Sequence, residues 1–154
     1  MKARLILLTL VVFFLSAVIC SAQSLHMGTW KLNEAKSKFA AGATKNNTVV
    51  YEAAGNMTKV TVDGTDGSGA AVHSEWTGKF NGRYYAVTGD ATGDMRSYRV
   101  INARTLALTN KQGRKVTLTG TITVSRNGKT RTVVTNATDA KGKRVHNTAV
   151  YDKQ

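Results

Sequence analysis

Apolar and polar residues alternate along most of this chain. The clearest run is Val116, Leu118, Gly120, Ile122 and Val124, interleaved with Thr117, Thr119, Thr121 and Thr123. A period of two gives a pleated strand one apolar face and one hydroxyl face. Threonine suits such strands because its β-branched side chain packs well there. Turn signals recur every ~8 to 12 residues, the spacing of all-β chains. Among them are Ala54-Gly55-Asn56, Asp66-Gly67-Ser68-Gly69, Asn81-Gly82, Lys111-Gln112-Gly113, Asn127-Gly128 and Lys141-Gly142. The pattern predicts strands over 27–32, 47–53, 57–63, 70–80, 83–88, 95–101, 104–110, 114–125, 129–137 and 143–152. Connections this short imply an antiparallel meander, and a long meander hides its edges best by closing. The expected fold class is therefore all-β, a single antiparallel up-and-down barrel of about 8–10 strands. One short helical turn is expected over 33–37, and no longer helix.

The first 22 residues break this alternation. Lys2 and Arg4 precede an apolar run from Leu5 to Ile19, followed by Cys20, Ser21 and Ala22. A charged start, an apolar centre and a small-residue end make a secretory signal peptide, with cleavage expected after Ala22. The run of about 15 residues is short against the ~20 that span a membrane as helix. Ile19 stands directly before Cys20, where a lipoprotein signal carries a small residue. The domain reading is a signal peptide over 1–22 and one β-barrel domain over 23–154, secreted or periplasmic, with no transmembrane span after cleavage. Cleavage leaves 154 − 22 = 132 residues and removes the only cysteine. It takes the charge from 22 − 9 = +13 to 20 − 9 = +11.

Alternation also assigns faces. Gly28, Trp30 and Leu32 share one face of the first strand. Val72, Ser74, Trp76, Gly78 and Phe80 share one of the fourth, and Arg96, Tyr98 and Val100 one of the sixth. Val145, Asn147, Ala149 and Tyr151 share one of the tenth. Val60, Val62, Leu106, Leu108, Val116, Leu118, Ile122 and Val133 complete the expected interior. There is one internal echo. Thr65-Asp66-x-x-Gly69-x-x-Val72-His73 recurs 73 residues later as Thr138-Asp139-x-x-Gly142-x-x-Val145-His146. Two hairpins with the same turn chemistry would produce it, as would duplication of half a barrel.

Gly28-Thr29-Trp30-Lys31-Leu32 resembles the first strand of the calycins, the superfamily of lipocalins and fatty-acid-binding proteins. There a Gly-x-Trp opens the barrel and the tryptophan plugs its closed end. Thr148-Ala149-Val150-Tyr151-Asp152-Lys153 resembles the closing strand of fatty-acid-binding proteins, which typically reads Thr-Arg-Val-Tyr-Glu-Lys. The chain is also similar to a group of uncharacterised secreted bacterial proteins with a lipocalin-like domain. The resemblance implies barrel-closing roles for Gly28 and Trp30 and a small hydrophobic or amphipathic ligand inside. It departs from the family in two places. Residues 33–46 are too few for the family's two-helix lid, so a barrel lacking a helical lid is expected. The family's carboxylate-binding arginine aligns with Ala149, although its tyrosine partner aligns with Tyr151.

Arg96-x-Tyr98 resembles that missing clamp moved to another strand. An arginine on an apolar face needs a partner, because an unpaired buried charge is costly. Its planar fork suits a carboxylate or phosphate. Three readings stay open: an anchor for an amphipathic anion, a guanidinium stacked on Trp30 to seal the barrel, and a strand-end side chain reaching solvent. The candidate ligand-binding residues are Arg96, Tyr98, Tyr151, Trp76 and Phe80. Tyr84 and Tyr85 are candidates for the barrel mouth or for simple rim packing.

His73 and His146 fall on the polar faces, and His26 lies in the expected frayed start. Two histidines without a cysteine or carboxylate cluster point to exposed strand positions more than to a metal. No nucleophile elbow, zinc-binding helix or phosphate loop is present, so neither an enzyme nor a cofactor is expected. Basic residues are spread over nearly every strand and turn, Arg131 among them. That charge serves solubility, or else attracts anionic envelope polymers or lipid head groups as a structural or adhesion module would. Nucleic acid is not an expected partner of an exported chain.

Overall fold

The computed structural model describes residues 24–138 and 142–154. The expected signal peptide lies outside them, as do Asp139 and Lys141 of the second echoed hairpin. Ten strands follow one another: β1 (Gly28–Leu32), β2 (Lys45–Ala54), β3 (Met57–Thr65), β4 (Ala71–Gly78), β5 (Asn81–Thr88), β6 (Met95–Asn102), β7 (Thr105–Gln112), β8 (Lys115–Val124), β9 (Thr130–Thr138) and β10 (Arg144–Lys153). Each pairs antiparallel with its neighbour in sequence, and β1 closes the barrel by pairing with both β2 and β10. The expected helical turn is a 3-10 turn over Glu34–Lys36, capped by the Asn33 side chain. Among the described residues, no helix is long and apolar enough to cross a membrane.

The interior follows from the alternation, with exceptions that have identifiable causes. Val116 is not inside; it is 46% exposed. A register shift between Asn110 and Lys111 places Val116 opposite the outward-facing Lys111, while Leu118 stays opposite the buried Asn110. A bulge of this kind adds one residue to one strand and turns the following side chain over. Arg131, counted with the exterior charges in the sequence, is buried beside Val124 and Tyr151. His26 is also fully buried, in a helical turn over 24–26. Strand β4 ends at Gly78, so Phe80 enters the core from the β4–β5 turn rather than from a strand. Tyr84 lies under the Lys111 ammonium, 3.8 Å from ring centre, and Tyr85 packs edge-on to Trp76. Neither lines the mouth.

The sequence echo has a structural counterpart. His73 stands opposite Asp63 across β3–β4, with Nδ1 2.6 Å from the carboxylate. His146 stands opposite Asn136 across β9–β10, with Nδ1 2.8 Å from the amide oxygen. Both histidines are exposed. The hydrogen bond to Asp63 holds the His73 pKa above its ordinary value, with desolvation opposing it and the Asp63 and Glu75 charges adding to it. Among the described residues, no group of three or more His, Cys, Asp or Glu is placed to hold a metal ion.

Candidate functional site

The barrel has a sealed end and an occupied middle before it has a cavity. At the sealed end Trp30 is fully buried, and its Nε1 donates to the His26 carbonyl at 2.9 Å. Gly28 starts the strand with φ +100, a backbone that favours glycine, and a Cβ there would meet Lys153 Cε at 3.3 Å. The guanidinium carbon of Arg131 sits 5.0 Å from the Trp30 ring, 5.0 Å from Tyr51 and 4.7 Å from Tyr151. Among the described residues no carboxylate forms an ion pair with it, so these ring faces supply its compensation. An arginine does stack on Trp30, and it is Arg131 rather than Arg96. The His26 ring packs against Tyr51 and Phe80, at 6.5 and 6.4 Å between centroids. Burial, then the Arg131 charge, lowers its pKa to about 4, with Lys153 adding to the effect and the Arg104 backbone opposing it.

Above this plug lies an aromatic layer. Trp76 meets Tyr98 edge-on at 4.7 Å and stacks with Phe80 at 6.3 Å. Phe80 and Tyr98 are 5.6 Å apart, and Tyr51 and Tyr98 are 6.3 Å apart. Trp76 Nε1 donates to the Arg96 carbonyl at 3.1 Å. Burial raises the Tyr98 phenol well above its ordinary pKa and pushes Tyr151 up to about 12, so both hydroxyls remain protonated.

Above the layer, at the other end, is a cavity of about 560 Å3. Val62, Leu108, Leu118, Val133, Ala149 and Tyr151 give it an apolar wall. Ser74, Asn110, Thr135 and Asn147 add polar atoms. Two segments cover the mouth. One is the stretch 39–44, tied down where the Ala40 amide donates to Asn147 Oδ1 at 2.8 Å. The other is the β5–β6 loop, 89–94, whose Asp90 reaches inward to pair with Arg96. Arg96 Nε donates to Asn110 Oδ1 at 3.1 Å, and Nη1 to Tyr98 Oη at 3.4 Å. Burial alone would depress the Arg96 pKa, but Tyr98 and Asp90 reverse the effect and the group stays charged.

Of the sequence candidates, Arg96 and Tyr151 line the cavity. Tyr98 reaches it through its hydrogen bond to Arg96. Trp76 and Phe80 lie in the aromatic layer, and Gly28 and Trp30 at the sealed end. Asp90 and Asn110 were missed. Asn110 shares the inward face of β7 with Leu106 and Leu108, a signal that alternation carries. Asp90 sits in a turn, where alternation carries nothing.

No family model matches the chain, and no curated protein matches it. Its likeness is to solved barrels. The structure of EF1p2_mFAP2b bound to DFHBI superposes with a TM-score of 0.51 at 13% identity, over 88% of this chain and 99% of that one. The redesigned β-barrel mFAP1 bound to DFHBI superposes with a TM-score of 0.48 at 14% identity, over 86% and 99%. At such identities the first match is a likeness of fold, a closed antiparallel barrel.

Proposed function

We propose that this protein is a carrier or sensor that holds a small hydrophobic or amphipathic ligand inside a calycin-like barrel, and not an enzyme. The observation that carries this reading is the cavity of about 560 Å3, lined by aliphatic side chains together with hydrogen-bonding groups. That size falls within the ~300–1,000 Å3 of ligand pockets. The neighbouring barrel EF1p2_mFAP2b is bound to DFHBI, which supports the reading for this architecture. Trp76 is hydrogen-bonded to the backbone of a cavity residue, so its fluorescence is the natural reporter. Titration with medium-chain alcohols, fatty acids and aromatic probes should change that fluorescence and raise the Tm. No response in either measurement across the panel overturns the proposal.

The signal-peptide pattern supports a secreted or periplasmic location. N-terminal sequencing of exported protein should begin at Gln23. A second reading, a cell-envelope structural or adhesion module, draws support from the sealed end. The turns there carry Lys79, Arg104, Arg126 and Lys129 and no carboxylate. Binding to anionic glycans or lipid head groups through this surface should weaken steeply with salt. Salt-independent binding counts against it.

A further inference from the structure

The cavity's arginine is already occupied. The side chains of Arg96 and Asp90 are only 9% and 11% exposed, and Arg96 Nη2 donates to Asp90 Oδ2. The same oxygen accepts from Asn110 Nδ2 at 3.0 Å. The other carboxylate oxygen accepts from the Thr92 amide at 2.7 Å and from the Thr92 hydroxyl at 2.6 Å. Thr92 Oγ1 in turn accepts from Asn110 Nδ2 at 2.6 Å, and Thr117 Oγ1 donates to the Thr92 carbonyl. The set closes on itself without any outside group.

The remaining charges do not alter this balance. Among the described residues, no lysine lines the cavity. Asp66, at the rim, is a second negative group, held within its own turn by the Ser68 and Ala70 amides at 2.8 and 3.0 Å. His73, also at the rim, is engaged by Asp63. Arg131 is not among the lining residues and lies against the Tyr51 and Tyr151 rings. A ligand carboxylate entering beside Arg96 would therefore meet the Asp90 carboxylate in a water-poor site. One of the two negative charges would be left without a partner there, which is strongly unfavourable. A hydroxyl, amide or ester group carries no such penalty and finds Ser74, Thr135 and Asn147 on the wall.

We propose that the cavity selects ligands with an uncharged polar head, and that Asp90 is the residue that sets this selectivity by neutralising Arg96. The proposal rests on the carrier reading above. It runs opposite to the expectation from the net charge of +13, which favours anions at the surface. The interior rejects what the exterior attracts.

The test compares 1-decanol with decanoate at pH 8 and fixed moderate salt, read by tryptophan fluorescence and Tm. The wild-type protein should bind decanol about tenfold or more tightly than decanoate, the scale of one charged hydrogen bond. Asp90→Asn leaves Arg96 uncompensated and should shift the ratio toward decanoate by roughly the same factor. Decanoate should also raise the Tm of that variant more than it raises that of the wild type. In Asp90→Asn/Arg96→Met the gain for decanoate should vanish. Equal binding of the two probes by the wild type, or a preference for decanoate, overturns the proposal while leaving the carrier reading intact. So does an unchanged ratio in a folded Asp90→Asn protein. If the wild type binds neither probe nor any other member of the panel, the carrier reading itself falls. The wild-type ratio decides the matter even if the variant does not fold.

Discussion

Two of the described arginines point into this barrel, and their surroundings give them different work. Arg96 has a carboxylate, an amide and a phenol as partners; Arg131 has three aromatic rings. Beside Arg131, His26 has a pKa lowered from 6.5 to about 4. The proton then binds the unfolded chain more readily than the folded one. The neutral ring's contribution is complete above pH 6.5 and is lost as pH falls toward 4. It amounts to about 3 kcal/mol at most. Urea unfolding of wild type and His26→Phe should show their stability difference changing by up to this amount between neutral pH and pH 4. A constant difference would rule out His26 as the acid-sensitive group. Arg131→Met removes the charge while keeping an apolar stem against the rings. NMR titration should then place the His26 pKa higher than in the wild type, because Arg131 is one of the causes of its depression.

At the scale of elements, the loop between β5 and β6 carries the most consequence. Gly89 adopts φ +71, and a Cβ there would lie 2.0 Å from the His73 carbonyl oxygen. The loop can lay Asp90 over Arg96 only with glycine at this position. Gly89→Ala should cost roughly 1–3 kcal/mol in stability. It should also move the decanol-to-decanoate ratio in the same direction as Asp90→Asn, because Asp90 is displaced. A ratio equal to wild type would separate the loop's conformation from the cavity's charge. The strand elements were legible to within two residues at every end, the usual margin for such boundaries. The bulge that turns Val116 outward was not, because a one-residue insertion depends on what the partner strand presents. Arg131 was legible in principle: it is two residues from Val133 and shares its face. Its charge suggested the surface, and only the ring cluster around it explains why it is inside.

For the whole molecule, closure is uneven. The β4–β5 ladder pairs only Glu75 with Thr88 and Trp76 with Val87, whereas β9–β10 pairs from Arg144–Thr138 to Asp152–Thr130. A short ladder has few backbone bonds to open together, so local opening should concentrate there. Native-state hydrogen exchange should find amides of the β4–β5 seam exchanging before those of β8, β9 and β10. Uniform protection around the barrel would contradict this.

The sequence by itself determined the number and order of the strands, the absence of a helical lid, and which faces are apolar. Those properties are local: a period of two, a turn every few residues and a β-branched composition act within one strand or hairpin. The paired state of Arg96, the inward turn of His26 and the unfilled space beneath the mouth were decided by the tertiary structure. Each depends on residues brought together from distant parts of the chain, such as Asp90 with Asn110 or Trp30 with Arg131. Alternation says which side chains face inward. Only the closed barrel sets how far apart they stand, and so whether they fill the interior or leave room within it.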